Sequence, residues 1–171
     1  MTMMKKLIAT AIAILVFAGT AFASDPVEGF WLSVDPGTGK IQSGWEIYVN
    51  DDGHLYGKML SAIHVSPTDK AHKCHDSYDN FPIDGKVNEL PILGTPWIFS
   101  LQMGSPGFWT NGFIVNPDDG KMYKLSLRFH PADGGRFQHE TLEIHGQLLH
   151  LALSASQYWR RSTQEEASAL R

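Results

Sequence analysis

A run of strictly alternating residues, KMYKLSLRF at 121–129, constrains this chain more than any other feature. Every second position from Lys121 to Phe129 falls on one face, and polar residues dominate the other. Period-two alternation is typical of a strand with one buried and one solvated face. The preceding WTNGFIV at 109–115 is aromatic and β-branched, and NPDDG at 116–120 is a dense turn signal. The sequence therefore predicts a β-hairpin over residues 109–129.

The rest of the chain repeats this arrangement of short strands and Gly/Asp/Asn/Pro turns. Further strands are predicted within 25–34 and at 43–49, 54–63, 97–103, 141–145, 147–153 and 156–161. Thr163–Leu170 predicts a short helix, with Thr163 as its cap and Glu166 as the reciprocal partner. No long helical pattern interrupts the series. Eight to ten short strands in one chain predict an all-β fold, a meandering antiparallel barrel or sandwich.

The N-terminus has the features of a cleavable signal peptide. Lys5 and Lys6 precede an apolar run of about 11 residues, which is too short to span a bilayer comfortably. Ala21-Phe22-Ala23 then supplies a small-x-small cleavage site before Ser24. We therefore expect a signal peptide at 1–23, a single domain at 24–171, and a periplasmic or secreted location. After signal removal we expect no stable membrane insertion.

Charge narrows the class of partner. Without Lys5 and Lys6, 12 Lys/Arg stand against 18 Asp/Glu, a net charge of −6. No Lys/Arg cluster stands out in the sequence of the predicted mature chain. Phosphate neutralisation needs such a cluster, so nucleic acid and anionic membranes are poor partner candidates. Cys74 is the only cysteine, which excludes an intramolecular disulfide.

Five segments in order resemble a known family of small exported bacterial proteins, the domain of unknown function 2147 family. They are DPVEGFWLSVDPGTGK (25–40), IYVNDDGHLYGKM (47–59), LPILG (90–94), WTNGFIVNPDDGKMYKLSL (109–127) and SQYWRR (156–161). The resemblance implies a single lipocalin-like β-barrel and no established activity. Many relatives carry a Cys pair in the loop that here holds only Cys74.

Gly29-Phe30-Trp31 is similar to the Gly-x-Trp of lipocalin first strands. That similarity implies that Trp31 packs beneath a late-strand arginine at the closed end of the barrel, through a cation–π contact. We assign Gly29, Trp31 and Arg160 to this closure, with Arg161 as the alternative.

Catalytic and metal-binding patterns are weak. His72, Cys74 and His75 are close in sequence, but zinc-type spacing and a fourth ligand are missing, so we predict no metal site and no cofactor. Ser105 lacks the nucleophile-elbow context. The Asp pairs at 51–52 and 118–119 precede glycines in hairpin tips, where a glycosidase pair is not expected. An enzymatic function is therefore not favoured.

Apolar and aromatic strand faces give the leading functional hypothesis. A barrel of about eight strands can hold one small ligand or fill its interior with side chains. The candidate ligand-contacting residues are Trp45, Ile47, Trp109, Asn111, Phe113, Tyr123, Leu125, Leu142 and Ile144. We expect an exported protein that binds a small apolar or lipid-like molecule, with 65–80 as a lid. The alternative is a filled barrel that acts as an envelope interaction module through its loops or through an exposed edge at 90–97.

Overall fold

The computed structural model describes residues 24–148 and 154–171. This part of the chain forms eight strands and two short helical segments. The strands are β1 (Gly29–Val34), β2 (Ile41–Val49), β3 (Leu55–Ala62), β4 (Ile98–Ser105), β5 (Phe108–Asn116), β6 (Lys121–His130), β7 (Thr141–Leu148) and β8 (Ser154–Ser162). A 3-10 turn spans Val87–Glu89, and helix α1 spans Gln164–Ala167.

The strands close into one antiparallel barrel in sequence order, because β1 pairs with both β2 and β8. The predicted all-β barrel is therefore confirmed, as is the hairpin at 109–129, which forms β5 and β6. Closure also removes the expected edge at 90–97: that segment is not a strand, and Pro91 forms an isolated bridge with Lys70. A closed sheet has no free row of N–H and C=O groups at its sides.

The seventh strand differs from its prediction. Gly146 does not separate two strands but lies inside β7, where it pairs with Leu125 on one side and Ala155 on the other. Because glycine has no side chain to pack, a glycine within an apolar run predicts the end of a strand. The hydrogen-bond ladders on both sides keep it extended here. Most of the predicted strand at 147–153 lies outside the described residues.

The core lies inside the barrel and consists of residues that alternate along the strands. Facing residues of an antiparallel pair share a face, so the pairing of Trp31 with Trp45 and of Leu127 with Trp109 and Ile144 identifies the inward positions. These five side chains are all less than a tenth exposed. The largest fully buried side chains include three of the five tryptophans: Trp31, Trp97 and Trp109.

The long connection 63–97 is ordered by contacts with the barrel. Ala71 N donates to Leu90 O at 2.9 Å, which draws the two ends of the connection together. Phe81 packs edge-on against Phe99, with ring centroids 5.3 Å apart. Tyr78 Oη donates to Gly120 O at 2.7 Å, which ties the connection to the β5–β6 turn. The predicted lid is thus a packed cover on one side of the barrel.

Helix α1 packs on the outside of β1 and β2. Thr163 caps it as predicted, because its Oγ1 accepts from Glu166 N at 3.2 Å. Ser61 Oγ donates to Ala167 O at 2.7 Å, and a side chain at Gly44 would collide with the same carbonyl. Within 24–148 and 154–171, no helix has the length and apolar content needed to cross a membrane.

Candidate functional site

One end of the barrel is shut by an arginine that stacks on a tryptophan. The guanidinium carbon of Arg161, in β8, lies 3.9 Å from the ring centroid of Trp31, the residue of β1 with which Arg161 pairs. Gly29 also lies there, and a Cβ at that position would come within 2.8 Å of Arg161 Nη1. The assignment of Arg160 to this role was wrong. Arg160 pairs with Leu32, and alternation turns its side chain to the opposite, exposed face.

The N-terminal segment completes this closed end. Arg161 Nη1 donates to Glu28 O at 2.7 Å, and Arg161 Nε forms an ion pair with Glu140 at 2.8 Å. Asp25 accepts from Gly107 N at 2.9 Å and from Trp109 Nε1 at 3.1 Å. These contacts connect the N-terminal segment to the turns between β4 and β5 and between β6 and β7. The closed end is therefore held by directional hydrogen bonds as well as by apolar packing.

Two tryptophans form the floor of the other half of the barrel. Trp45 of β2 packs against Trp159 of β8 with ring centroids 5.1 Å apart. Five other candidate ligand-contacting residues are buried on the inward face: Ile47, Trp109, Leu125, Leu142 and Ile144. Of these, Leu142 pairs with Trp159, whereas Ile47 pairs with Gly29 and Trp109 bonds to Asp25 at the closed end. Tyr123, one row nearer the open end, is half-buried, and its Oη donates to Asp119 at 3.0 Å.

Above this floor, inward positions are exposed to solvent. Ala155 and Gln157 face inward because they pair with Gly146 and Ile144, yet both are exposed. Among the described residues, a Cβ built at Gly146 would find one heavy atom within 4 Å, Tyr123 Cβ at 3.9 Å. Within residues 24–148 and 154–171, the barrel is therefore open to solvent between β6, β7 and β8. We call this region, together with the Trp45–Trp159 pair below it and the Ser33–Ser43 pair bonded to Trp45, the mouth.

A short polar chain lies on the inward face of β1 and β2. Trp45 Nε1 donates to Ser43 Oγ at 2.7 Å, and Ser43 Oγ lies 2.6 Å from Ser33 Oγ. Each of the two serine hydroxyls has one hydrogen, and the bond between them uses one of these hydrogens. The other hydrogen has no acceptor among the described residues. In the adjacent strand β8, Trp159 Nε1 donates to Gln157 Oε1 at 3.2 Å. Small-molecule sites usually combine apolar walls with a few polar groups of this kind.

Two candidate residues do not lie inside the barrel. β5 has a bulge between Trp109 and Gly112, so Gly112, not Asn111, pairs with Leu125 on the inward face. Asn111 is exposed, with a left-handed φ of 58°. Phe113 pairs with Lys124 on the outside and packs on Phe99. The prediction that both share the face of Trp109 was wrong, because one inserted residue reverses the alternation.

The three weak metal candidates do not converge. Cys74 is buried, whereas His72 and His75 are exposed. In the part of the chain that the structure describes, no three His, Cys, Asp or Glu side chains are placed to hold one ion. Burial raises the pKa of the Cys74 thiol, and burial also raises the pKa of Tyr78, its neighbour, to about 12. A thiol kept protonated and covered is a poor nucleophile.

Sequence reasoning missed several residues of the mouth: Ser33, Ser43, Gly146, Gln157 and Trp159. Trp159 was detectable, because it alternates with Gln157 and Arg161 in a predicted strand. The serines and the glycine carry no such signal, since small residues are common in turns and on wet faces. Their position became evident only from the pairing of β1 with β2 and of β7 with β8.

Comparisons with known proteins agree with this geometry. Residues 29–161 match the family described as "Uncharacterized protein conserved in bacteria (DUF2147)". No curated protein matches the chain. Among solved structures, the chain is similar to protein HP1028 from the human pathogen Helicobacter pylori, described as belonging to the lipocalin family. The two share 16% sequence identity at a TM-score of 0.59, over 81% of this chain and 84% of that one. The family match spans most of the sequence, so this chain belongs to the DUF2147 family, with a lipocalin-like barrel.

Proposed function

We propose that this protein binds one small, largely apolar molecule in the mouth of its barrel. The observation that carries the proposal is the contrast between register and exposure at β8. Ala155 and Gln157 occupy inward positions next to Ile144 and Gly146, and both are open to solvent. A ligand there would exclude water from the apolar surface that Ala155 and the half-buried Tyr123 expose above the buried Trp45–Trp159 pair, which is worth about 25 cal/mol per Å² of apolar surface removed from water.

The polar groups of the mouth would set the ligand's orientation. The free hydroxyl hydrogen of the Ser33–Ser43 pair can donate to an oxygen atom of the ligand. A buried donor that gains an acceptor contributes more to specificity than to affinity, because a ligand without that oxygen leaves the donor unpaired. We therefore expect an apolar molecule with at least one oxygen function.

A filled mouth should abolish binding. Gly146→Phe adds a ring on the inward face, where the glycine leaves space, and Gln147→Phe adds the same ring to the outward face of β7. We expect the uncharged fluorescent probe Nile red, whose carbonyl oxygen can accept from the serine hydroxyl, to bind the wild type and the Gln147→Phe control. We expect Gly146→Phe to weaken binding of the probe by tenfold or more. Equal binding to all three proteins, or none to the wild type, would refute the proposal.

Native mass spectrometry gives an independent readout. Protein purified from its own host under mild conditions should carry an added mass that organic extraction removes.

We also propose export, on the basis of the signal-like segment at 1–23, which lies outside the described residues. Purified protein that begins at Ser24 would support cleavage, and a mass that includes Met1 would contradict it.

A further inference from the structure

The outward faces of β6, β7 and β8 form one continuous polar surface. Cross-strand pairing arranges their side chains in four rows: Lys124–Gln147, Ser126–His145–Ser156, Arg128–Glu143–Tyr158, and His130–Thr141–Arg160. Six residue steps separate the first row from the last, which gives a length of roughly 20 Å at about 3.3 Å per residue. We call these rows, with the adjoining turn 131–140, the outer face.

Charge is segregated onto this part of the chain. The outer face contains four Lys/Arg and three Asp/Glu, whereas the rest of the predicted mature chain contains eight Lys/Arg and fifteen Asp/Glu. A protein of net negative charge thus carries an excess of positive charge on one side. Within the described residues, neither Arg136 nor Arg160 has a carboxylate within ion-pair distance. Positive charge that forms no ion pair attracts anionic ligands.

Glu143, the only acidic side chain in the four rows, is hydrogen-bonded to its neighbours. Burial alone would raise the pKa of Glu143, but the hydrogen bond and charge of His130, with help from Ser156 and Arg128, hold it below its usual range. His130 Nε2 lies 2.8 Å from Glu143 Oε2, and Ser156 Oγ donates to Glu143 Oε1 at 3.3 Å. His145 Nδ1 lies 2.9 Å from Ser156 Oγ. This chain of contacts links the upper rows to the lower ones.

Two hollows indent the outer face, one at each end. The upper hollow, of about 430 Å³, lies beside the β5 bulge, and its lining includes Asn111, Lys124, Ser126, His145 and Gln147. The lower hollow, of about 350 Å³, is lined in part by Arg136, Gln138, Thr141, Tyr158 and Arg160. Amides and hydroxyls dominate among the uncharged polar groups. Such groups both donate and accept hydrogen bonds, which suits a ligand rich in hydroxyls.

Aromatic rings flank the lower hollow. Phe137 stacks on His130 with ring centroids 4.3 Å apart and lies 6.1 Å from Tyr158. The Arg136 guanidinium carbon lies within 6 Å of both the Phe137 and the Tyr158 rings, and Arg136 Nη2 donates to Tyr158 Oη at 3.1 Å. Tyr158 is 38% exposed, so part of its ring can contact a ligand.

We propose that the outer face binds an acidic saccharide chain. The arginines and Lys124 would bind its carboxylate or other anionic groups, the amides its hydroxyls, and the Tyr158 ring the apolar face of a sugar. The two hollows lie at opposite ends of the rows, which are roughly 20 Å long at about 3.3 Å per residue, and this length suits an extended chain of sugars rather than a single ring. The surface is separate from the mouth, because the side chains of its rows point to the opposite side of the same strands.

The first experiment compares two hexasaccharides that differ in charge, hexagalacturonic acid and maltohexaose, by isothermal titration calorimetry at low salt. We expect the acidic chain to bind and the neutral chain to bind at least tenfold more weakly. The double variant Arg136→Gln/Arg160→Gln should bind the acidic chain at least tenfold more weakly than the wild type does. Lys40→Gln/Lys70→Gln removes the same charge from exposed positions elsewhere and should change affinity by less than twofold. Tryptophan fluorescence verifies that each variant is folded.

A second comparison separates a saccharide site from general attraction of polyanions. Tyr158→Ala removes a ring but no charge, so it should weaken hexagalacturonic acid severalfold and leave polyglutamate unchanged. Equal losses for both ligands would overturn the saccharide assignment. So would retained binding by the double arginine variant, or tighter binding of the wild type to oligothymidylate or to phosphatidylglycerol vesicles. The Gly146→Phe variant should bind the hexasaccharide normally, which keeps this test independent of the mouth.

Discussion

The closed end and the mouth of this barrel are built from the same strands but stabilised differently. At the closed end, Arg161 lies between two aromatic rings, at 3.9 Å from Trp31 and 5.6 Å from Phe129, and it also bonds the N-terminal segment. At the mouth, the inward positions hold the small residues Gly146 and Ala155, and Gln157 is exposed. The inward face thus passes from crowded and cross-linked to small and open.

This difference separates stability from function along one axis. Large side chains at the closed end bury apolar area and exclude water, which supplies most of the folding free energy. Small side chains at the mouth contribute little to that energy. They are therefore the positions where substitution should change ligand binding more than folding. The predictions below test this division.

Removal of the Arg161 side chain should have the largest effect. Arg161→Ala deletes the stack on Trp31, the hydrogen bond to Glu28 O and the ion pair with Glu140. We expect the free energy of unfolding to fall by about 2–4 kcal/mol, measured by urea denaturation. Arg160→Ala, the exposed neighbour, should change it by less than about 0.5 kcal/mol. Equal losses would mean that the closed end is not held by this arginine.

Two inward glycines give a sharper comparison of the crowded and open regions. A Cβ at Gly57 would lie 2.6 Å from Ile47 Cδ1 and 3.1 Å from Ile98 Cβ, whereas Gly146 has space. Gly57→Ala should therefore cost about 1–3 kcal/mol through overpacking. Gly146→Ala should be neutral or slightly stabilising, since it restricts the unfolded chain. A destabilised Gly146→Ala, measured by the same urea titration, would show that the mouth is filled.

The smallest effect should be a pH dependence from Glu143, on the outside of the barrel. Its pKa is lower in the folded state than in the unfolded chain, so folding favours the ionised form. The stabilisation is present above the unfolded value of about 4.3 and is lost as the pH falls through the folded value. Glu143→Gln should thus lower the urea midpoint slightly at pH 7 and by less at pH 3. Partial exposure and salt screening keep this difference small.

Local sequence patterns predicted most of the fold. Alternation in 121–129, the Asp-Gly turns and the Thr163 cap each act over a few residues, and the structure shows each of them. Two predictions failed where one residue altered the alternation. The bulge after Trp109 moved Asn111 and Phe113 off the inward face, and register placed Arg161 instead of Arg160 on Trp31.

The sequence by itself determined an all-β chain, its family and the buried face of its longest hairpin. Those properties follow from periodicity and turn chemistry, which are local. Only the tertiary structure decided where the barrel closes, which small residues form the mouth, and how basic residues of β6, β8 and the turn 131–140 meet on the outer face. These depend on strand register, which is set by the whole hydrogen-bonded sheet, because a shift of one residue reverses every side chain.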